Sequence, residues 1–182
     1  MSQTKELQSE LIAQCRRQNT KAQMQLYDMY CKTMYITAYN FVKREDVAED
    51  LMQEAFLKAF QHINSFNGKV TFGAWLKKIV INRCLDWLKK RELRIVSLED
   101  YHRDVSYEDD WEVNNSITIE QIHEAIEKLP DKYKIVLKLY LLEGYDHEEI
   151  SQILNITEIS SRSQLHRGKN KLKELLKKYH YA

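Results

Sequence analysis

The sequence predicts an all-α protein: two small helical domains joined by an acidic flexible linker, with a helix-turn-helix in the C-terminal domain. Three observations carry that reading. Only 4 Gly and 1 Pro occur among 182 residues, which disfavours turn-dense sandwiches and barrels and Gly-rich phosphate loops. Apolar residues recur at helical spacing on both sides of the middle of the chain. Between those stretches, Ser97 to Asn115 lacks that periodicity and is dense in Asp, Glu, Ser and Asn, as a solvated linker would be.

The first 25 residues alternate charge and polarity (Lys5, Glu6, Glu10, Arg16, Arg17, Lys21) with neither an apolar core nor a cleavage site for export. A cytoplasmic protein is expected. The first well-marked helix has Leu26, Tyr30, Met34, Ala38 and Val42 at every fourth position and ends near Lys43 to Glu45. The next, Asp46 to Phe60, places Val47, Leu51, Ala55 and Ala59 on one face with Phe56 and Phe60 beside it. Asp46, Glu49, Asp50, Gln53 and Glu54 fall on another face. A polar loop, Ile63 to Val70, leads into a helix over about Thr71 to Arg91, with Phe72, Trp75, Leu76 and Ile79 as its core stripe. Lys77, Lys78, Arg83, Lys89, Lys90 and Arg91 lie outside that stripe.

Beyond the linker, helix ends are explicit. Thr118 to Gln121 reads as a capping box, and Pro130 stops that helix at Leu129. Asp131 to Glu143 carries Tyr133, Val136, Leu137, Tyr140 and Leu141 on one face and ends at a left-handed Gly144. Asp146 to Glu149 starts a short helix ending near Leu154, Asn155 to Thr157 makes a tight turn, and a long helix restarts at Glu158. Short helix, tight turn and long polar helix form the helix-turn-helix pattern, whose second helix enters the major groove; a helical bundle with a solvated basic face is the alternative. Leu165, Gly168, Leu172 and Leu176 share the inward stripe, which turns Ser163, His166, Arg167, Asn170 and Lys171 outward. Arg167 suits a bidentate contact to guanine and Arg162 a phosphate, with Ser163 and His166 facing other base edges.

Charge by segment sharpens this. The whole chain has 28 basic and 27 acidic residues, net +1, which on its face argues against a nucleic-acid partner. Residues 1–93 are net +5, 94–118 net −5, and 119–182 net +1. Within the last segment, 158–182 carry +5 and 119–157 carry −4, so the near-neutral total hides a basic end.

Other classes fit poorly. No apolar stretch approaches the roughly 20 residues that span a bilayer, so no membrane insertion is expected. Cys15, Cys31 and Cys84 are odd in number and widely spaced, which points to reduced helix residues rather than disulfides or a zinc site. His123, His147 and His166 stand at no metal-ligand spacing, and there is no nucleophile or phosphate-loop motif; no metal, no cofactor and no enzymatic activity are expected.

Taken in order, D-V-A-E-D-L-M-Q-E-A-F-L-K-A-F (Asp46 to Phe60), F-x-x-W-L-x-x-I-x-x-N-x-x-x-D (Phe72 to Asp86), L-P-D-K-Y (Leu129 to Tyr133), L-x-L-Y-x-x-E-G-Y (Leu137 to Tyr145), H-E-E-I (His147 to Ile150) and S-Q-L-H-R-G-K (Ser163 to Lys169) resemble the extracytoplasmic-function group of bacterial RNA polymerase sigma factors. The resemblance covers about residues 20–93 and 117–178 and implies sigma domain two over 1–93, a linker over 94–118 and sigma domain four over 119–182. It implies that Asp50, Leu51, Gln53 and Glu54 dock on the clamp helices of the polymerase largest subunit, with further contact at the flap region. It also implies that the loop residues Asn64, Ser65, Phe66, Asn67 and Gly68 capture an unpaired base of the minus-ten element, with Asn82, Arg83 and Asp86 contacting it and Lys77 and Lys78 offsetting phosphate. Arg162, Ser163, His166, Arg167 and Lys171 would then read the minus-thirty-five element. Where the family often has a small residue followed by Thr at the start of the recognition helix, this chain has Ile159 and Ser160. The implied partners are core RNA polymerase, promoter DNA and an anti-sigma factor. A stand-alone helix-turn-helix regulator, working without polymerase, is the competing reading.

Overall fold

Asn19 and Lys43 bracket the longest helix of the first half. In the computed structural model, which describes residues 2–92 and 117–178, the chain divides into two units, residues 1–98 and 99–182. Every element among the described residues is helical. The acidic segment expected to join the domains lies outside the described residues apart from Ile117 and Thr118, as do the side chain of Arg91 and residues 179–182.

The first unit contains α1 (Ser2–Arg16), α2 (Thr20–Val42), α3 (Glu45–Gln61), a 3-10 turn (Ile63–Ser65) and α4 (Phe72–Glu92). The Asn19 side chain starts α2 by accepting from the backbone N–H groups of Lys21 (3.0 Å) and Ala22 (3.2 Å). Lys43, at φ 52°, ends it in the left-handed conformation. Arg44 then reaches forward to Asp46 with two contacts of 3.2 and 2.5 Å, and this hydrogen bond holds the Asp46 carboxyl below its ordinary range. The core lies among α2, α3 and α4. Ala48, Ala55 and Ala59 of α3 are fully buried, and their small size lets the backbones of its neighbours approach.

Helix α1 is an addition to the helices expected from apolar spacing: charged residues surround a narrow stripe, Leu11, Ile12 and Cys15, all of which are buried. The expected faces of α3 and α4 are each turned slightly. Ala48 and Met52 are buried where Val47 is half-buried, and Val80, Ile81, Cys84 and Leu85 join Phe72 and Leu76 where Trp75 and Ile79 are half-buried.

The second unit contains α5 (Ile119–Glu127), α6 (Asp131–Leu137), a π-helical stretch (Lys138–Leu142), α7 (His147–Leu154) and α8 (Glu158–Lys178). Both capping boxes form, Thr118 with Gln121 and Asp146 with Glu149, and Gly144 takes φ 77°. Asp131 to Glu143 is not one regular helix. The Glu143 N–H donates to the Lys138 carbonyl five residues back (3.0 Å), and this wider turn rotates the residues within it relative to α6. Lys138, still in α-helical geometry with its N–H on the Lys134 carbonyl, and Leu139 are buried, whereas Tyr140 and Leu141, expected on the inward face, are exposed. Buried Lys138 is compensated by Glu127, 2.8 Å from its ammonium. Helix α8 packs by Leu165, Leu172 and Leu176, and closest at Gly168, where an added Cβ would meet Leu137 Cδ1 at 3.0 Å.

The three cysteines are free thiols, Cys15 and Cys84 buried and Cys31 half-buried. No helix among the described residues is long and apolar enough to cross a membrane.

Candidate nucleic-acid and polymerase interface

Three surfaces emerge, two on the first unit and one on the second. On α3, Asp50, Gln53 and Glu54 are exposed, and the Gln53 amide donates to Glu49 at 3.2 Å, giving a continuous anionic and amide stripe. Leu51 is not part of that surface. It is 7% exposed and belongs to the core, because the stripe's spacing turns position 51 inward, so it supports the helix from beneath. Beside the stripe, α2 and α3 enclose a groove of about 450 Å³ lined by Thr20, Met24, Tyr27, Gln53, Phe56 and Leu57 among others. Met24 and Leu57, 61% and 63% exposed, are apolar side chains on that groove that lie off the core stripe.

The second surface combines the loop after α3 with the outer face of α4. Asn64, Ser65, Asn67 and Gly68 are all exposed. Ser65 Oγ donates to the His62 carbonyl (2.8 Å), Asn67 Oδ1 accepts from the Lys69 N–H (3.0 Å), and Gly68 at φ 74° completes the turn. Phe66 is a correction to the expected base-capturing set. It is 7% exposed and its ring sits edge-on to Phe72 (5.7 Å) and against Trp75 (5.4 Å), so it anchors the loop in the core. Arg16 of α1 fixes the same point from outside, donating to the Phe66 carbonyl at 2.7 Å. The loop is thus held at its middle while its polar residues face water.

On α4, Lys78, Asn82 and Asp86 are exposed at four-residue spacing and share one stripe. Lys77 and Arg83, both half-buried, lie to either side of it by helical phase. The Arg83 Nε is 4.0 Å from Glu54 on α3, so the structure associates Arg83 with the α3 surface more than with the Asn82 stripe.

The third surface is the helix-turn-helix. Asn155, at φ 55° and ψ 48°, closes α7, and Thr157 opens α8 by accepting from the Ser160 N–H at 3.1 Å. The two helices are pinned by His147 and fully buried Ser161, whose Nδ1 and Oγ are 2.9 Å apart. The His147 ring also stacks on Tyr140 at 5.1 Å. Burial, with the Arg162 cation second, pushes the His147 pKa down, favouring the neutral ring.

The expected outward face of α8 is present. Arg162, Asn170 and Lys171 are exposed; Ser163, His166 and Arg167 are half-buried. Arg162 reaches Glu158 at 3.4 Å, and the Asn170 amide and His166 Nε2 are 3.0 Å apart. Among the described residues, no group of three or more His, Cys, Asp and Glu side chains is placed to hold a metal ion.

Two family models match the chain, sigma-70 region 2 over residues 26–94 and sigma-70 region 4 over residues 119–172. The ECF RNA polymerase sigma factor SigM of Bacillus subtilis is 29% identical over 153 residues, covering 83% of this chain and 93% of SigM. SigW of the same organism is 28% identical over 183 residues, covering 91% and 95% respectively. Among solved structures, the sigma factor RpoE in complex with the anti-sigma factor NepR from Bartonella quintana aligns with a TM-score of 0.60 at 23% identity, covering 85% of this chain and 96% of RpoE. CnrH in complex with the cytosolic domain of CnrY aligns with a TM-score of 0.58 at 20% identity, over 94% and 97%. At those identities the structures speak to the fold. The two matched regions, and relatives matched over nearly their whole length, together place the chain among initiation factors rather than enzymes: it belongs to the sigma-70 family, in the extracytoplasmic-function group of sigma factors that direct promoter-specific transcription.

Proposed function

We propose that this sigma factor divides its work between the two units. The stripe of Asp50, Gln53 and Glu54 docks on basic helical elements of core RNA polymerase, the clamp helices of the largest subunit, with the second unit meeting the flap region. Carboxylates and an amide on a rigid helix complement such a partner and set its register. The exposed loop groups of Asn64, Ser65, Asn67 and Gly68, with Lys78, Asn82 and Asp86 of α4, receive an unpaired base and its backbone from the minus-ten element, while Lys77 and Arg83 flank that site. Leu51 and Phe66 hold these surfaces in place from the core.

The second unit reads the minus-thirty-five duplex with Arg162, Ser163, His166, Arg167 and Lys171. The observation that carries this is the α8 geometry: a capped, close-packed helix on which Arg162, Ser163, His166, Arg167 and Lys171 lie off the Leu165, Leu172 and Leu176 stripe. The domain limits are 1–93 and 119–182, with 94–118 as the tether. About 25 residues reach on the order of 80 Å when extended, enough to let both weak DNA contacts act together. The cytoplasm, where polymerase and promoter lie, is the site of action. An anti-sigma factor that covers these surfaces is a partner suited to keeping such a subunit idle; RpoE and CnrH were each solved with a bound protein of their own.

The test is reconstitution with core polymerase on promoter DNA. Initiation at defined sites that depends on the purified protein supports the reading. Tight operator binding without polymerase, and no initiation with it, refutes the reading in favour of a stand-alone regulator.

A further inference from the structure

The leading turn of α8 carries an apolar side chain where polar ones would be expected. Ile159 is 77% exposed, more than any other large apolar residue described. By helical phase it lies about 120° from the buried Leu165 stripe and on the same side as His166 and Asn170. It is the second residue of the helix, and in a helix-turn-helix the N-terminal residues of the second helix reach deepest toward the bases.

The polar neighbours at that turn are engaged within the helix itself. Thr157 Oγ1 caps the Ser160 N–H, Ser160 Oγ accepts from the Gln164 amide at 3.0 Å, and Glu158 faces Arg162 at 3.4 Å. Ile159 is therefore the side chain presented at the tip. Its β-branched stem has few rotamers, so presenting it to a partner costs little ordering entropy. Among base edges in the major groove, the group that complements an alkyl side chain is the thymine 5-methyl.

We infer that Ile159 is a specificity-determining residue that reads the 5-methyl of a thymine in the upstream promoter element. This rests on the reading of α8 as the minus-thirty-five helix. Ile159 supplies no hydrogen bond, so it distinguishes thymine from the other bases by that methyl alone, while Arg162 beside it contributes sequence-independent phosphate attraction.

The experiment uses holoenzyme on its own promoter, with each thymine of the upstream element replaced in turn by deoxyuridine, which removes only the methyl. At one thymine, wild-type binding should weaken about fourfold, the factor set by burying one methyl-sized group. Ile159→Ala should bind the unmodified promoter about fourfold more weakly and be indifferent to deoxyuridine at that position. Ile159→Val should retain the methyl dependence, and Arg162→Ala should bind more weakly overall yet keep it. Equal responses of wild type and Ile159→Ala at every thymine, or no response of wild type at any, overturn the inference while leaving promoter recognition standing. Absence of any promoter-dependent binding by wild type overturns the reading of α8 itself.

Discussion

Lys138 Nζ lies 2.8 Å from Glu127 Oε1, and the lysine side chain is 2% exposed whereas the glutamate keeps 31%. Lys138 follows directly on α6 in α-helical geometry, and Glu127 at the end of α5 is positioned to meet it. Removing one partner strands a charge, so Glu127→Ala should destabilise the second unit by about 2–4 kcal/mol, the lower figure reflecting the partial exposure of the glutamate. Replacing both residues by Glu127→Gln and Lys138→Met should recover most of that loss. Urea unfolding of the full chain, read by probes in the second unit, checks both.

Gln53 and Leu51 are two residues apart on α3 but should fail in different ways. Gln53→Ala combined with Glu54→Gln should weaken binding to core polymerase at least about tenfold with the unfolding midpoint little changed, since both side chains are exposed and the Glu54 contact to Arg83 is a long one of 4.0 Å. Leu51→Ala should lower stability by about 2–4 kcal/mol through the cavity it leaves. Polymerase binding that survives the double change would remove α3 from the docking surface.

Arg167→Ala should cost upstream duplex binding about 1–3 kcal/mol and leave core binding intact. Competition between promoter fragments with and without the upstream element measures the difference. Unchanged upstream affinity would refute the assigned face of α8.

Arg16 and Phe66 together hold the loop after α3, which we propose meets the minus-ten element. Phe66→Ala should both destabilise the first unit by about 3 kcal/mol and slow promoter opening. Arg16→Met, which removes only the 2.7 Å contact to the Phe66 carbonyl, should slow opening with a far smaller loss of stability. Permanganate footprinting of the melted strand, beside thermal unfolding, separates these effects.

His147 makes the second unit sensitive to acid. Its folded pKa is lowered, chiefly by burial and then by Arg162, with Lys169 adding to this and Asp146 and Glu158 opposing it. A lowered folded value means the unfolded chain binds the proton more readily, so the stabilisation is complete above the unfolded value of about 6.5 and falls as pH drops through the folded one. His147→Gln should therefore show a flatter loss of stability than wild type between pH 7 and 5. Parallel profiles would assign the acid sensitivity to carboxylates instead.

The helix ends were the most legible part of the chain, because caps are local: Thr118 with Gln121, Asp146 with Glu149, and Gly144 need only their near neighbours to be recognised. The outward face of α8 was legible for a similar reason, as three leucines at regular spacing leave one orientation. The rest depended on contacts between distant segments. Helix α1 offers only Leu11, Ile12 and Cys15 as an apolar stripe, and its attachment runs through Gln8 to Tyr30 and Arg16 to Phe66. Nothing in the spacing of Asp131 to Glu143 announces a π turn, and the buried pairing of Lys138 with Glu127 joins two different helices. Leu51 and Phe66 enter the expected sites only through the family resemblance; the apolar spacing already sets Leu51 with Ala55 and Ala59, whereas the aromatic cluster that turns Phe66 inward depends on Phe72 and Trp75 of the next helix.

The three cysteines have a practical consequence. Cys15 and Cys84 are sealed in the core, and burial pushes the Cys15 thiol up, away from the reactive thiolate. Cys31 is half-open on α2, the helix that shares its groove with α3, whose acidic stripe is the proposed docking face. A maleimide fluorophore added to the native chain should therefore attach at a single position, giving a reporter of polymerase engagement without a single engineered residue.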